Sequence, residues 1–369
     1  MRTLRSTLGG VALVAGATYF ASMLASAPAR AEQPIGCGGY NYMTTENGYS
    51  SEGSGYPGYG YGYGYGYGDC PTQSDINTSL QQISNDRVKN LITHNRLASP
   101  LLGGTEQINC GDCFRGFGML GSFSAGFNGR KGLTDRLSVL GGLSYNEYSS
   151  KSTETKRAPI FALGLRYDLA DWGASRPFFE VAGTLSPGER VRTLRIVNAG
   201  GVAGALYGAT DATTWSINTR AGWVFRMSPV AELAAYVSYA RTEQRFGAYS
   251  EQGPVTLLPL SYGTRNSSIN VVKGVVQHTQ LLSPKIEAHV SAAIAHGFGA
   301  KAGVNAVTAL PFFGAFTPAA KDSTWAEFDA RIGFRIAKGT VIDVFALTTV
   351  GPQPVGNTIH GGLGLRYLF

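Results

Sequence analysis

A chain of 369 residues has room for about two domains, and its mean hydropathy of −0.04 shows that no long apolar helix dominates it. Fifty glycines and 11% aromatics, with only 15% charged residues, suit many twisted strands flanked by aromatic girdles better than a helical bundle. The formal charge is +7, but Arg2, Arg5 and Arg30 fall in a leader with no acid, and the remaining excess is too small and scattered for nucleic-acid binding.

Residues 1–31 read as a signal peptide. Arg2 and Arg5 form a positive n-region, Leu8 to Leu24 is apolar and small, and Ala29-Arg30-Ala31 supplies a small-x-small cleavage pattern, with Glu32 as the mature start. An uncleaved anchor is the alternative, which the Gly and Ser interruptions disfavour. Elsewhere nothing approaches the ~18 apolar residues of a spanning helix. Residues 32–74 are Gly/Tyr-rich, and Tyr59 to Gly68 alternates the two residues without a break. Glycine adds backbone entropy and no burial, so this segment builds no core of its own. It reads either as a sticky surface segment, through its tyrosine rings and hydroxyls, or as a neutral linker.

Ile76, Leu80, Ile83, Val88 and Leu91 recur at helical spacing, with Ser74 as a candidate N-cap. A helix over 75–97 spans a bilayer thickness at about 1.5 Å per residue. Asp75, Asp86, Arg87, Lys89 and Arg96 forbid lipid contact. Such a helix crosses only inside a polar pore; the alternative is a helix lying in the periplasm.

From residue 98 to 369 strands follow one another. The period-two pattern predicts one strand over Phe117–Asn128, with Phe117, Met119, Phe123, Ala125 and Phe127 sharing the apolar face. The clearest alternation sets Ala326, Phe328, Ala330, Ile332 and Phe334 against Glu327, Asp329, Arg331 and Arg335. Strand lengths approach the ~10 residues needed to cross a bilayer at a tilt, so the apolar faces are expected to point at lipid rather than into a soluble sandwich. Short links such as Ala337-Lys338-Gly339 and Leu282-Ser283-Pro284 alternate with longer ones, namely Ser149–Arg157, Val197–Thr213, Gly247–Arg265, Lys301–Asp322 and Val350–Asn357. An even count requires a first strand over Pro100–Ile108 that turns tightly at Asn109–Cys113, with the preceding helix ending at the periplasmic mouth. The expected fold is therefore all-β: an antiparallel transmembrane barrel of about 12 strands with an N-terminal α-helix in its pore. In the last strand Leu363, Leu365, Tyr367 and Phe369 share one face, and the sequence stops on that aromatic residue.

These features resemble the translocator β-domain of the type V autotransporters over about residues 75–369. The resemblance rests on the polar helix, the strand count and the closing Gly361-Gly362-Leu363-Gly364-Leu365-Arg366-Tyr367-Leu368-Phe369. Asn109-Cys110-Gly111-Asp112-Cys113 and Gly351-Pro352-Gln353-Pro354-Val355-Gly356-Asn357-Thr358 are similar to an alphaproteobacterial branch. The resemblance implies a Gram-negative outer-membrane location. It also implies insertion by the barrel assembly machinery, which reads the last strand, with help from periplasmic chaperones. A plugging helix and a surface-exported passenger complete the family pattern. The departure is the passenger, reduced here to residues 32–74.

The expected lumen holds Arg166, Glu180, Arg220, Arg226, Glu232, Lys285, Glu287, His289, Glu327, Asp329, Arg331, Arg335, Asp343 and Arg366. Both signs are present, so mutual pairing is favoured over a transport or catalytic site. Some members of the resembled family cut their passenger beside an Asn of the pore helix. Asn85, Asp86 and Asn90 are the weak candidates here, with Glu327 or Asp329 to orient the attack. Cys37, Cys70, Cys110 and Cys113 are the four cysteines. In an oxidising compartment they read as two disulfides, Cys37 with Cys70 and Cys110 with Cys113; a Cys-x-x-Cys redox pair lacks the surrounding βαβ pattern. No zinc spacing, nucleophile elbow or phosphate loop is present, so neither an enzyme nor a cofactor is expected. The leading reading is a monomeric, lipid-embedded barrel that displays its short segment. A porin-like channel is the alternative, and an outer-membrane hydrolase is a more remote one.

Overall fold

The computed structural model describes residues 71, 73–103, 112–199, 202–254, 257–307 and 317–369. Twelve antiparallel strands close into a barrel. In chain order they are β1 (Cys113–Leu120), β2 (Phe123–Gly132), β3 (Leu137–Ser149), β4 (Thr153–Asp168), β5 (Ser175–Ala199), β6 (Val202–Ser228), β7 (Ala231–Phe246), β10 (Arg265–Ser283), β11 (Ile286–Lys301), β13 (Ser323–Ala337), β14 (Thr340–Val350) and β15 (Thr358–Leu368). Three two-residue strands, β8 (Tyr249–Ser250), β9 (Ser261–Tyr262) and β12 (Ala306–Val307), form a separate small sheet in the long loops. Closure comes from β1 pairing with β15, in register from Cys113↔Leu368 to Leu120↔Gly361. A closed ladder leaves no edge, which a membrane wall requires.

The strands carry their apolar side chains outward. On β15, Leu363, Leu365 and Tyr367 are exposed, while Arg366 on the opposite face is 1% exposed. Inside lies α1 (Gln73–Ala98), 26 residues long, followed by a short 3-10 helix over Ser99–Leu102. No described helix is long and apolar enough to cross a membrane by itself. Ser74 lies inside the first turn of α1 rather than before it.

Two apolar clusters bracket α1. Ile76, Leu80, Ile83, Val88 and Leu91 pack with Leu258, Leu260, Val304, Ala306 and Val355, all from long loops. Leu97 and Ala98, with Leu101 and Leu102, pack against Phe117, Met119, Ile160, Ala182 and Phe345 of the wall. The helix thus runs from the long loops to mid-barrel. It does not reach the short-turn mouth, because the chain bends into the 3-10 helix at Pro100.

The first hairpin differs from the expected one. Residues 99–102 are helical, so no strand occupies the start of the expected Pro100–Ile108 segment, whose residues 104–108 lie outside the described ones. The single strand expected over Phe117–Asn128 is two strands joined at Gly121-Ser122, where Gly121 has φ +104°. A two-residue turn leaves the period-two pattern of residue types unbroken, which hides it in the sequence. Across it the faces exchange: Phe117 and Met119 point inward to meet Leu97 and Leu101, while Phe123 and Phe127 point outward. The strand count stays at twelve.

Two expected long links are also different. Ser149–Arg157 contracts to a tight turn between β3 and β4. Val197–Thr213 is paired strand, since β5 and β6 run to 25 and 27 residues and pair up to Ala199↔Val202. This extension survives because Val197 and Leu206 bury against Leu257 of the neighbouring loop.

Gly222 shows how tightly the wall is fitted. It faces Phe178 on one side and Tyr236 on the other, and those rings meet edge-on with centroids 6.0 Å apart. A Cβ there would lie 2.3 Å from the Ala235 carbonyl and 2.4 Å from the Tyr236 Cβ. Gly222→Val is expected to lower the thermal midpoint of the purified barrel, by about 1–3 kcal/mol of overpacking, read as a shift in heat-modifiable gel mobility. An unchanged transition would mean the wall opens freely there.

Candidate functional site

Almost every polar residue on the inner stretch of α1 has a partner in the wall or loops. Near the long loops, Gln81 donates to the Ala319 carbonyl at 2.9 Å. Arg87 donates to the Gly303 carbonyl at 2.9 Å and to the Tyr249 hydroxyl at 3.2 Å, and its guanidinium lies 4.2 Å above the Phe246 ring. On the same turn, the Asp86 carboxylate accepts from the Ser152 amide at 2.6 Å and from its hydroxyl, while one turn on the Asn90 amide donates to Thr153 at 2.8 Å. The β3–β4 turn therefore grips the helix from one side. Deeper still, the Thr242 hydroxyl donates to Asn95 at 2.7 Å, and His94 lies 3.8 Å from the Glu189 carboxylate.

Arg96 is the deepest contact. Its guanidinium meets Glu327 at 3.1 Å and Asp329 in a two-pronged pair, and Lys273 binds Glu327 from the other side at 2.9 Å. Glu327 also accepts from the Trp325 indole at 2.8 Å. Two wall acids with one wall cation form a site one positive charge short, and Arg96 supplies it. Charge-assisted, bidentate pairing of this kind is among the stronger polar contacts available.

Beyond Arg96 the lumen holds wall charges and little helix. Glu287 and Asp343 sit among Arg366, Arg331, Arg335 and Arg115, with Arg366 donating to both acids. Arg220 pairs with Glu180 at 3.4 Å and caps the Gly103 carbonyl at 3.2 Å. A cavity of about 110 Å³ opens here between Arg96, Arg115, Arg220, Arg331, His289 and Asp329.

The long-loop end is closed by a second buried ion pair. Arg195 of the β5–β6 extension makes a two-pronged pair with Glu251 at 2.9 and 2.7 Å and donates to the Leu258 carbonyl at 2.6 Å. Glu251 also accepts from the Leu260 amide at 3.0 Å and from the Tyr262 hydroxyl at 2.7 Å. Burial first, then the Glu251 carboxylate, holds the Tyr262 phenol well above its ordinary range, so it stays a donor.

The residues singled out in the sequence are not gathered in one place. Asn85 accepts from Gln81 at 3.1 Å, and Asp86 and Asn90 are engaged by Ser152 and Thr153. Glu327 and Asp329 meet Arg96, about 16 Å along the helix from Asn85 at 1.5 Å per residue. Arg226 and Lys285, expected in the lumen, are exposed near the short turns, where the strands leave the barrel. Leu363, Leu365, Tyr367 and Phe369 all face outward, with the Tyr367 and Phe369 rings edge-on at 5.2 Å. Cys113 opens β1 and is disulfide-bonded; Cys37, Cys70 and Cys110 lie outside the described residues. Among the described residues no group of three His, Cys, Asp or Glu could hold a metal ion. Sequence reading missed Ser152, Thr153, Tyr249 and Glu251, none of which belongs to a recognisable motif.

A family comparison decides the identity of this helix-filled barrel: the autotransporter β-domain matches residues 118–344. The chain belongs to the autotransporter β-domain family. Its architecture is similar to the translocator domain of autotransporter NalP from Neisseria meningitidis, with a TM-score of 0.51 and 13% identity over 75% of this chain and 95% of that one. The β domain of the Bordetella autotransporter BrkA also aligns, with a TM-score of 0.40 and 10% identity over 70% of this chain and 97% of that one. No curated protein sequence matches the chain. The autotransporter barrel is thus an outer-membrane translocator of a Gram-negative bacterium, with its own helix in the pore.

Arg96→Met should loosen that helix. Removing one partner of a buried pair costs about 3–5 kcal/mol because the other charge stays buried. In planar bilayers the variant is expected to show more frequent open events than the parent, and Asp329→Asn added to it should have less than additive effect. A variant as quiet as the parent would show that Arg96 does not hold the plug.

Proposed function

We propose that this autotransporter barrel anchors and displays its own Gly/Tyr-rich residues 32–74 at the cell surface, with residues 1–31 a removed signal peptide, 75–97 the pore helix and linker, and 98–369 the membrane anchor. The observation that carries this reading is the direction of α1. Its first turns lie among Leu258, Leu260, Val304 and Val355 of the long loops, and its last lies mid-barrel. Long loops are extracellular and short turns periplasmic in outer-membrane barrels. The chain preceding Gln73 then leaves on the outer side.

The dense pairing of Asp86, Arg87, Asn90 and Arg96 supports a retained plug rather than a mobile one. It disfavours the porin-like alternative, in which the lumen conducts. Nothing in the geometry joins a nucleophile to a base at Asn85, Asp86 or Asn90, so the segment is taken to stay attached. The assembly machinery and periplasmic chaperones are the expected partners. Leu363, Leu365, Tyr367 and Phe369 form the outward stripe that this machinery would read.

An epitope tag at Ser51, probed with antibody on intact cells with and without external protease, tests the display. Labelling that protease abolishes is the expected result. Labelling only after the outer membrane is opened would overturn it. Deleting residues 73–102 should raise planar-bilayer conductance; equal conductance with and without them would favour the porin-like reading.

A further inference from the structure

Directly beyond the outward apolar band, at the long-loop end of β4 and β5, stands a cluster of cations. On β4 the band of Phe161, Leu163, Leu165 and Tyr167 gives way to Arg157 and Lys156; on β5 the band ending at Leu185 gives way to Arg190 and Arg192. The strand register sets Lys156 opposite Arg190 and Glu154 opposite Arg192, so these side chains share the outer face. Glu154 pairs with Lys156 at 3.1 Å and with Arg192 at 3.8 Å, and Asp211 pairs with Arg190 at 2.9 Å. Arg157 is exposed beside Tyr145, whose hydroxyl donates to Glu147 at 3.2 Å, so four cations stand over three carboxylates.

Arg157 is also held in an unusual backbone. Its φ is +51°, and it and Leu258 are the non-glycine residues with positive φ among the described ones. A left-handed conformation is strained for a residue with a Cβ. It falls at the β3–β4 register irregularity between Asn146 and Tyr148, which brings Arg157 beside Tyr145 at the apolar boundary. Bulges of this kind re-aim side chains. Glycine would hold the same backbone without strain, so packing alone gives no reason for arginine here.

We propose that Lys156, Arg157, Arg190 and Arg192 form a lateral binding site for the phosphorylated headgroup of an outer-leaflet glycolipid. The site rests on the outer-membrane location and on the outward direction of the long loops. Guanidinium and ammonium groups at headgroup height, beside an aromatic and flanked by an acyl-facing apolar wall, match a ligand with anionic phosphates above hydrocarbon chains. Glu154, Asp211 and Glu147 keep the cations spaced and still leave the cluster net positive.

The test titrates purified full-length protein in detergent with bisphosphorylated lipid A, with the same lipid after phosphatase treatment, and with a zwitterionic phospholipid. The readouts are thermal midpoint and lipid retained by native mass spectrometry. Wild type should gain stability and retain lipid only with the phosphorylated form. Replacing Lys156, Arg157, Arg190 and Arg192 by Gln should weaken retention by at least about tenfold, while Gln at Lys131, Arg136, Lys285 and Lys338 of the opposite rim should not. Arg157→Gly provides the folding control: it should keep or raise the lipid-free midpoint and still weaken retention. Equal retention by the four-site variant, or by wild type with the dephosphorylated lipid, overturns the proposal. A fall in the lipid-free midpoint of Arg157→Gly with unchanged retention would assign Arg157 a structural role and also overturn it. If the Ser51 tag proves periplasmic while phosphate-specific retention persists, the orientation fails and the site survives as a lipid site of the other leaflet.

Discussion

The lumen of this barrel is a place where charge must be balanced without bulk water, and the contact on which the rest depends is Arg96 between Glu327 and Asp329. A buried carboxylate left alone is costly, and a buried pair broken on one side is more costly than a pair never made. Lys273 answers one of the two wall acids. The helix brings the remaining charge, so wall and plug are each incomplete alone. The apolar contacts above and below Arg96 add area but little direction, since Leu and Ile pack against many surfaces. Asp86 with Ser152 and Asn90 with Thr153 fix rotation, because a helix turned by one residue would present neither group to the β3–β4 turn.

Much of this was legible in the sequence because membrane walls obey a strict rule. Every strand that crosses lipid must alternate, and Ala326 to Arg335 does so without exception. The charged helix was equally legible, since Arg87 and Arg96 exclude lipid whatever their partners. The β1–β2 turn was hidden by Gly121 and Ser122, which occupy the same number of positions as one strand repeat and so preserve the pattern while reversing the chain. The β5–β6 extension was hidden for the opposite reason. Beyond the membrane both faces can be polar, and pairing there rests on Val197, Leu206 and Leu257, which only the folded loop brings together. The helix partners were illegible because Ser152 and Tyr249 are ordinary loop residues until topology places them over the pore.

The two buried ion pairs divide the labour between depth and closure. Arg96 sits where the wall is most regular and its partners are strand residues two positions apart, Glu327 and Asp329, separated by Phe328, which faces lipid. Arg195 and Glu251 sit where the chain is least regular, and their pair gathers Leu258, Leu260 and Tyr262 into one roof. Tyr249 links roof and plug: its ring stacks on Tyr262 at 4.5 Å, and its hydroxyl receives the Arg87 guanidinium.

That link makes the roof depend on the helix. The roof's floor is made of Leu258, Leu260 and Tyr262, and all three rest on the apolar face of α1. Without that face the roof residues keep only Ile269, Val271, Trp325 and the other loops to bury against, and Arg195 and Glu251 would be less shielded from water, where a pair contributes less. The roof therefore reaches its full burial only with the helix in place beneath it. The seal over the long-loop mouth is in this sense a receipt for the helix: it is complete only where the helix lies beneath it.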